Sequence, residues 1–280
     1  MPSIETLLGS VLAWAQRDDN VIALITTGSV SRSDARRDEF SDLDVEVIAR
    51  DPQPLLADDN WFMAFGEVWV MLRFDERKYP TRLVIYDGGS KVDFMVAGVR
   101  RLEELNEELD PLYERGYRVL LDKDRASGNL PPASGRFPVR AAPTQTEYDA
   151  TVEEFWFEAA HLPWYLARED LWVVKFRDWT MKTDLLKMLE WHATVHSEAP
   201  VDIWHIGTRM KEWVDEATWC QIHDAYARFD QQDSWRALLA SADLFARLSR
   251  ETAQASGLTY PVKLERHVRD YLASFDARPF

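Results

Sequence analysis

Asp42 and Asp44, in the run Ser41-Asp42-Leu43-Asp44-Val45, are the first residues of this 280-residue chain whose types and spacing suggest chemistry. Side chains alternate faces along a strand, so the two carboxylates project to one side while Leu43, Val45 and Val47 turn to the other, into a core. Two carboxylates side by side repel, and the repulsion is relieved by protonating one of them or by binding a divalent cation between them. Hard oxygen ligands suit Mg2+, which keeps waters and substrate phosphates in its octahedron. A third acid, Asp93, interrupts the apolar run Val92-Asp93-Phe94-Met95-Val96. If the strand over 91–98 lies beside that over 43–49, Asp42, Asp44 and Asp93 form a trio able to hold two metals roughly 3.5–4 Å apart, the separation used in phosphoryl chemistry. Glu46 continues the same face and is expected to be a solvated strand-end carboxylate.

Upstream, Gly28-Ser29 closes the apolar run 21–29 and is followed by a polar stretch that leads to Ser41. A glycine lets backbone approach a phosphate closely, and the amides and hydroxyl that follow can donate to it. Arg32 is the first choice for a phosphate counter-charge, ahead of Arg36 and Arg37. Gly-Ser and Asp-x-Asp are each common. Their occurrence in order, with a third acid inside an apolar strand, favours a triphosphate and metal site over a turn with incidental acids.

These residues need strands to hold them. Short β-branched runs at 21–29, 43–49, 69–75, 82–87, 91–98 and 118–124, with helical patterns at 3–17 and 99–109, predict a mixed α/β sheet domain. Residues 126–146 hold four prolines and two glycines, which marks a linker. Beyond it the composition turns helical, with helices expected at 145–167, 170–197, 203–212, 215–228, 231–256 and 260–274, and Thr146 and Asp149 available as caps. The fold class is therefore α+β, with a sheet domain over 1–135 and an all-α bundle over 136–280.

Composition narrows the partners. A net charge of −15 repels a phosphate backbone, so nucleic acid is not expected and a cationic ligand is. No apolar run reaches membrane-spanning length, and the N-terminus has no basic leader, so no membrane association and a cytoplasmic location are expected. The single cysteine, Cys220, excludes an internal disulfide and is expected to be a small buried apolar residue. A monomer is expected.

The segments GSVSRSDARRDEFSDLDVEVI, YERGYRVLLDKD, PTQTEYDATVEEFWFEAAHLPWYLAREDLW and DWTMKTDLLKMLEWH carry a resemblance. Gly28-Ser29 with Asp42-Leu43-Asp44 resembles the signature of the nucleotidyltransferase superfamily, which includes DNA polymerase β. The longer segments, in order, are similar to the aminoglycoside 6-adenylyltransferases, also called streptomycin adenylyltransferases. The resemblance implies a polymerase β-like N-terminal domain and a helical acceptor-binding domain. It implies transfer of AMP from ATP to a hydroxyl of an aminoglycoside, most simply streptomycin at position 6, with Mg2+ as the metal and pyrophosphate released. It also implies Asp42 and Asp44 as metal ligands and Asp93 as a third ligand or as the base that takes the acceptor's proton. In the helical domain Asp178, Trp179, Lys182 and Glu190 are the implied acceptor contacts. Asp178 and Lys182 are four apart and share a helix face, so an intrahelical ion pair explains them as well. The chain departs from the family pattern in its acidity, its many tryptophans and Val30-Ser31 after Gly28-Ser29. These departures bear on the acceptor, so another small metabolite or a protein side chain, or a silent binding homologue, stand as alternatives.

Other signals are weaker. Trp156, Trp164, Trp172, Trp179 and Trp191 lie at helical spacings where large rings are expected to fill a core, with one or two free to line a cleft for a cation. His192 and His196 have metal-binding spacing on a helix, but no adjacent Glu or third ligand accompanies them, and zinc is not expected. The acidic run 103–110 is expected to be a solvated helix face.

Overall fold

The computed structural model describes residues 4–32, 38 and 40–275. The chain is α+β and divides into two compact units, Met1–Phe137 and Pro138–Phe280. The first unit runs α1 (Ile4–Arg17), β1 (Val21–Thr27), β2 (Leu43–Ala49), α2 (Gln53–Ala57), α3 (Asn60–Met63), β3 (Val68–Phe74), β4 (Thr81–Tyr86), β5 (Lys91–Gly98), α4 (Arg100–Glu107), α5 (Pro111–Arg115) and β6 (Arg118–Asp122). Its described strands form one sheet in the order β3-β4-β5-β2-β1-β6. β2 and β5 are parallel, and every other neighbouring pair is antiparallel.

Alternation along the strands explains the layers. Leu43, Val45 and Val47 of β2 join Val92, Phe94 and Val96 of β5 in a core completed by Leu7 and Val11 of α1. The opposite face buries Ile25, Ile48 and Ala97 with Leu102 and Leu105 of α4 and Tyr113 of α5. At the starts of β2 and β5 the apolar residues of that second face give way to Asp42, Asp44, Lys91 and Asp93. The short helices α2, α3 and α5 were not expected. For α5 a signal exists: Pro111 occupies the first turn and the Asp110 carboxylate accepts from the Leu112 and Tyr113 amides.

The second unit contains α6 (Gln145–Leu166), α7 (Leu171–His196), α8 (Glu216–Asp224), α9 (Gln231–Ser256) and α10 (Val262–Ala273). The N-cap of α6 is Thr144 rather than Thr146 or Asp149, in a reciprocal capping box with Glu147. Phe155 stacks on Phe245 at 3.7 Å between ring centres, tying α6 to α9. The expected helix at 203–212 does not form. Ile206, Gly207 and Arg209 all take positive φ, which an α-helix excludes, and only a single turn at Met210–Glu212 remains. The next helix stops at Asp224, four residues short of expectation.

Only part of the tryptophan set fills the core. Trp156 and Trp191 are buried, whereas Trp164, Trp172 and Trp179 are 47%, 81% and 63% exposed. Trp172 and Trp179 stand with Phe176 on one outward face of α7, while Val174, Met181, Leu185 and Met188 are its buried apolar positions. Cys220, expected in the interior, is exposed. Among the described residues no helix is long and apolar enough to cross a membrane.

Candidate active site

Three chain segments meet where β1 ends and β2 and β5 begin. The parallel register puts Asp44 directly opposite Asp93, and on the other side Thr27 of β1 opposite Asp44. Asp42 lies on the same face, one residue before the Leu43–Val92 pair. One carboxylate oxygen from each of Asp42, Asp44 and Asp93 lies within 4.8 Å of the others.

The turn after β1 fits against this trio. Gly28 has φ +66, and a Cβ built on it would stand 2.0 Å from Asp44 Oδ2, so neither the conformation nor the space admits a side chain. The sequence expectation for this glycine is room for a phosphate; what lies against it in the structure is the Asp44 carboxylate. The turn is tied down by the hydroxyls of Thr26 and Ser31, 2.7 Å apart. Ser29 Oγ beside it is buried without a hydrogen-bond partner. Arg32 follows with its backbone against Gly116, where a Cβ would meet Arg32 Cα and Ser31 O at 3.1 Å. Arg36 and Arg37 lie outside the described residues.

Two cations near the trio went unnoticed in the sequence. Lys91 Nζ donates to Asp42 Oδ2 and to Asp93 Oδ2, both at 2.8 Å. Its signal is legible in retrospect: Lys91 is two residues before Asp93 on the same strand, hence on the same face. Arg77, in the turn between β3 and β4, stacks over Phe74 at 4.2 Å, and its charge acts on Asp93. Arg73, Phe74, Asp75, Glu76 and Arg77 line a cavity of about 440 Å³ in this unit.

Electrostatics at the trio follow from burial and crowding. Burial pushes the Asp44 carboxyl up to about 7, the charges of Asp42 and Asp93 add to the rise, and Lys91 opposes it. Asp93 is also raised by burial, against the hydrogen bond and charge of Lys91. Burial works to lower Lys91, but its bonds to the two carboxylates carry it above the ordinary lysine value. Asp93 Oδ1 is buried and has no partner. An all-oxygen donor set of three carboxylates within 4.8 Å of one another fits a hard divalent cation such as Mg2+.

Glu46 is not a solvated strand-end acid. It is buried, accepts from Arg101 Nη2 at 3.0 Å and from the Tyr113 hydroxyl at 2.6 Å, and so pins β2 to α4 and α5. Arg101 also pairs with Asp110, which draws one acid of the run 103–110 inward. Glu104 of the same run pairs with Lys78 and accepts from Tyr79.

In the helical unit, Lys182 Nζ donates to Asp178 Oδ1 at 2.6 Å and to Ser241 Oγ of α9 at 2.9 Å. Burial lowers the Lys182 ammonium pKa, against the pull of Asp178. Trp179 next to them is exposed. Glu190 is not part of this group: eight residues past Lys182 it lies about 12 Å farther along α7. There it pairs with Arg140 and lines a cavity of about 340 Å³ with Pro138, Val139, Ile203 and Trp204. His192 meets Glu251 at 2.7 Å and stacks on His196. The only group of three or more potential metal ligands among the described residues is the aspartate trio.

A family model described as streptomycin adenylyltransferase matches residues 1–275. The chain is 22% identical over 271 residues to an aminoglycoside 6-adenylyltransferase of Bacillus subtilis (strain 168), covering 93% of this chain and 94% of the relative. It is 22% identical over 274 residues to another of Campylobacter jejuni, covering 95% and 93%. Among solved structures it resembles a crystal structure of an aminoglycoside 6-adenyltransferase from Bacillus subtilis, over 98% of this chain and 97% of that one, at 18% identity and a TM-score of 0.48.

Proposed function

The chain belongs to the streptomycin adenylyltransferase family, and from this we propose that it transfers the AMP of ATP to a hydroxyl of an aminoglycoside, with streptomycin at position 6 the first acceptor to try. The observation that carries the proposal is the convergence of Asp42, Asp44 and Asp93 within 4.8 Å beside the Gly28-Ser29 turn. Mg2+ held by these three carboxylates would offset the charge of the ATP phosphates and of the transition state. Ser29, with an unpartnered hydroxyl, donates to a phosphate oxygen, and Arg32 supplies counter-charge to the leaving pyrophosphate.

The reaction is a single in-line displacement. The acceptor oxygen bonds to the α-phosphorus, the bond to the bridging oxygen breaks, and pyrophosphate departs. The hydroxyl proton goes to Asp93 Oδ1, which has no partner in the structure and belongs to a carboxyl whose pKa is raised toward the range useful for a general base.

Acceptor recognition is assigned to the helical unit. Asp178, paired with Lys182, and Glu190, paired with Arg140 at a separate cavity, are the candidate acidic contacts for a cationic ligand, and the exposed Trp179 offers an aromatic face for ammonium or guanidinium groups. Lys182, buried and tied to Asp178 and Ser241, orients Asp178. Mass spectrometry of streptomycin, spectinomycin and kanamycin after incubation with protein, ATP and Mg2+ tests the proposal. An added AMP on streptomycin is expected. An adduct on another acceptor would move the substrate, and none on any, with no acceptor-dependent pyrophosphate release, would overturn the activity.

A further inference from the structure

Every divalent cation that enters the aspartate trio must contend with a cation already there. Lys91 Nζ sits 2.8 Å from Asp42 Oδ2 and 2.8 Å from Asp93 Oδ2, bridging the two carboxylates. A metal that bound through Oδ2 of Asp42 and of Asp93 would take up oxygens that now accept from the ammonium. The ammonium and the metal therefore compete for the same electrons. Asp44 stands apart: its oxygen is packed against Gly28 and receives no bond from Lys91.

We propose that Lys91 is a positioning residue that serves as the internal cation of the metal-free site, holding Asp42 and Asp93 together until a divalent ion displaces it. The inference rests on the metal-site reading given above. Three observations support it. The bridge joins β5 to Asp42, the residue that leads into β2, so it fixes the spacing of the ligands and not merely the rotamer of one. The Lys91 side chain is 36% exposed, so the ammonium has a path to solvent when it leaves. A lysine is also suited to leaving, since its ammonium is a compact point charge on a four-carbon flexible stem, whereas an arginine fork would clamp both carboxylates.

The consequence is an order of binding. Metal alone must break two charge-assisted hydrogen bonds and leave the ammonium with only water as its partner. Metal arriving with nucleotide brings phosphate oxygens that can take up the freed ammonium. Lys91 thus weakens binding of free metal and couples metal entry to the nucleotide.

The test is calorimetric titration of the whole chain with Mn2+, without nucleotide and again with the non-transferable analogue α,β-methylene-ATP. Lys91→Met is expected to tighten Mn2+ binding without nucleotide by about tenfold and to reduce the further gain that the analogue confers. Lys91→Arg, which keeps the charge, should stay near wild type or weaker. Circular dichroism checks that each variant is folded, and Lys91→Gln replaces Lys91→Met if the latter is not. Equal or weaker Mn2+ binding by the neutral variant, or no binding by either protein, would overturn the role of Lys91. Asp44→Asn separates the two questions: if it leaves Mn2+ binding intact, the metal site itself is misassigned, and if it abolishes binding while Lys91→Met changes nothing, only the competitor fails.

Discussion

Replacing Asp44 by asparagine removes a charge and keeps a shape. The carboxyl has an ordinary value of 3.8 and is held at about 7 in the folded, metal-free chain by burial and by Asp42 and Asp93. Between those two values the unfolded chain has already lost the proton and the folded chain still keeps it. Folding binds more protons than unfolding there, so stability falls as pH rises from about 4 to 7, and the whole penalty is present above 7. A difference of about three pH units is worth about 4 kcal/mol at 1.36 kcal/mol per unit. With water reaching the mouth of the site, a working magnitude of about 1–2 kcal/mol follows. For a chain of this size that corresponds to a melting temperature about 2–8 °C higher for Asp44→Asn at pH 8 in EDTA. At pH 5 the difference should be smaller. Adding Mg2+ should raise the melting temperature of the wild type and leave the variant where it was, and AMP transfer by the variant should be lost. Scanning calorimetry from pH 5 to pH 8, with and without metal, reads all of this. A variant that melts with the wild type at every pH, or below it at pH 8, would refute the account of a crowded, buried carboxylate.

Other expectations can be checked with the same preparations. Gly28→Ala should fold with a distorted turn and lose most activity, because its Cβ would lie 2.0 Å from Asp44 Oδ2; wild-type turnover in a steady-state assay would contradict the packing described. Arg101→Met leaves Glu46 buried with only the Tyr113 hydroxyl, and should cost about 3–5 kcal/mol in urea denaturation, against a change of less than about 1 kcal/mol for the exposed Arg50→Met. The Michaelis constant for streptomycin should rise with salt up to about half-molar as the attraction of an acidic chain for a polycation is screened over a Debye length of about 8 Å or less. A flat constant would mean that the −15 charge serves solubility and does not draw the acceptor.

The strands of the first unit are legible because their alternation is strict: Leu43, Val45 and Val47 must bury, and that alone turns Asp42 and Asp44 to one side. The parallel pairing that sets Asp93 against Asp44 is a long-range contact on which local pattern is silent. Glu46 shows the limit most plainly. Nothing near it distinguishes a wet carboxylate from one buried under Arg101, 55 residues away in sequence. The surface tryptophans fail for a related reason: α7 is apolar on both faces, and which face packs is decided by α6 and α9. Residues 203–212 carry helix-forming Met, Lys and Glu, but the positive φ at Ile206, Gly207 and Arg209 is a property of the packed loop.

The contact between Gly28 and Asp44 also constrains how such a chain can drift. An acquired side chain at position 28 collides with the carboxylate at 44, so the glycine is held in place by the aspartate as much as by its own backbone. Once Asp44 is lost, that collision vanishes and only the left-handed conformation still favours glycine, a preference that asparagine also satisfies. Loss of the acid should therefore come first and loss of the glycine second in any lineage that abandons catalysis. In the laboratory the same logic makes position 44 the place to look for second-site changes that restore folding, but not transfer, to a destabilised Gly28 variant.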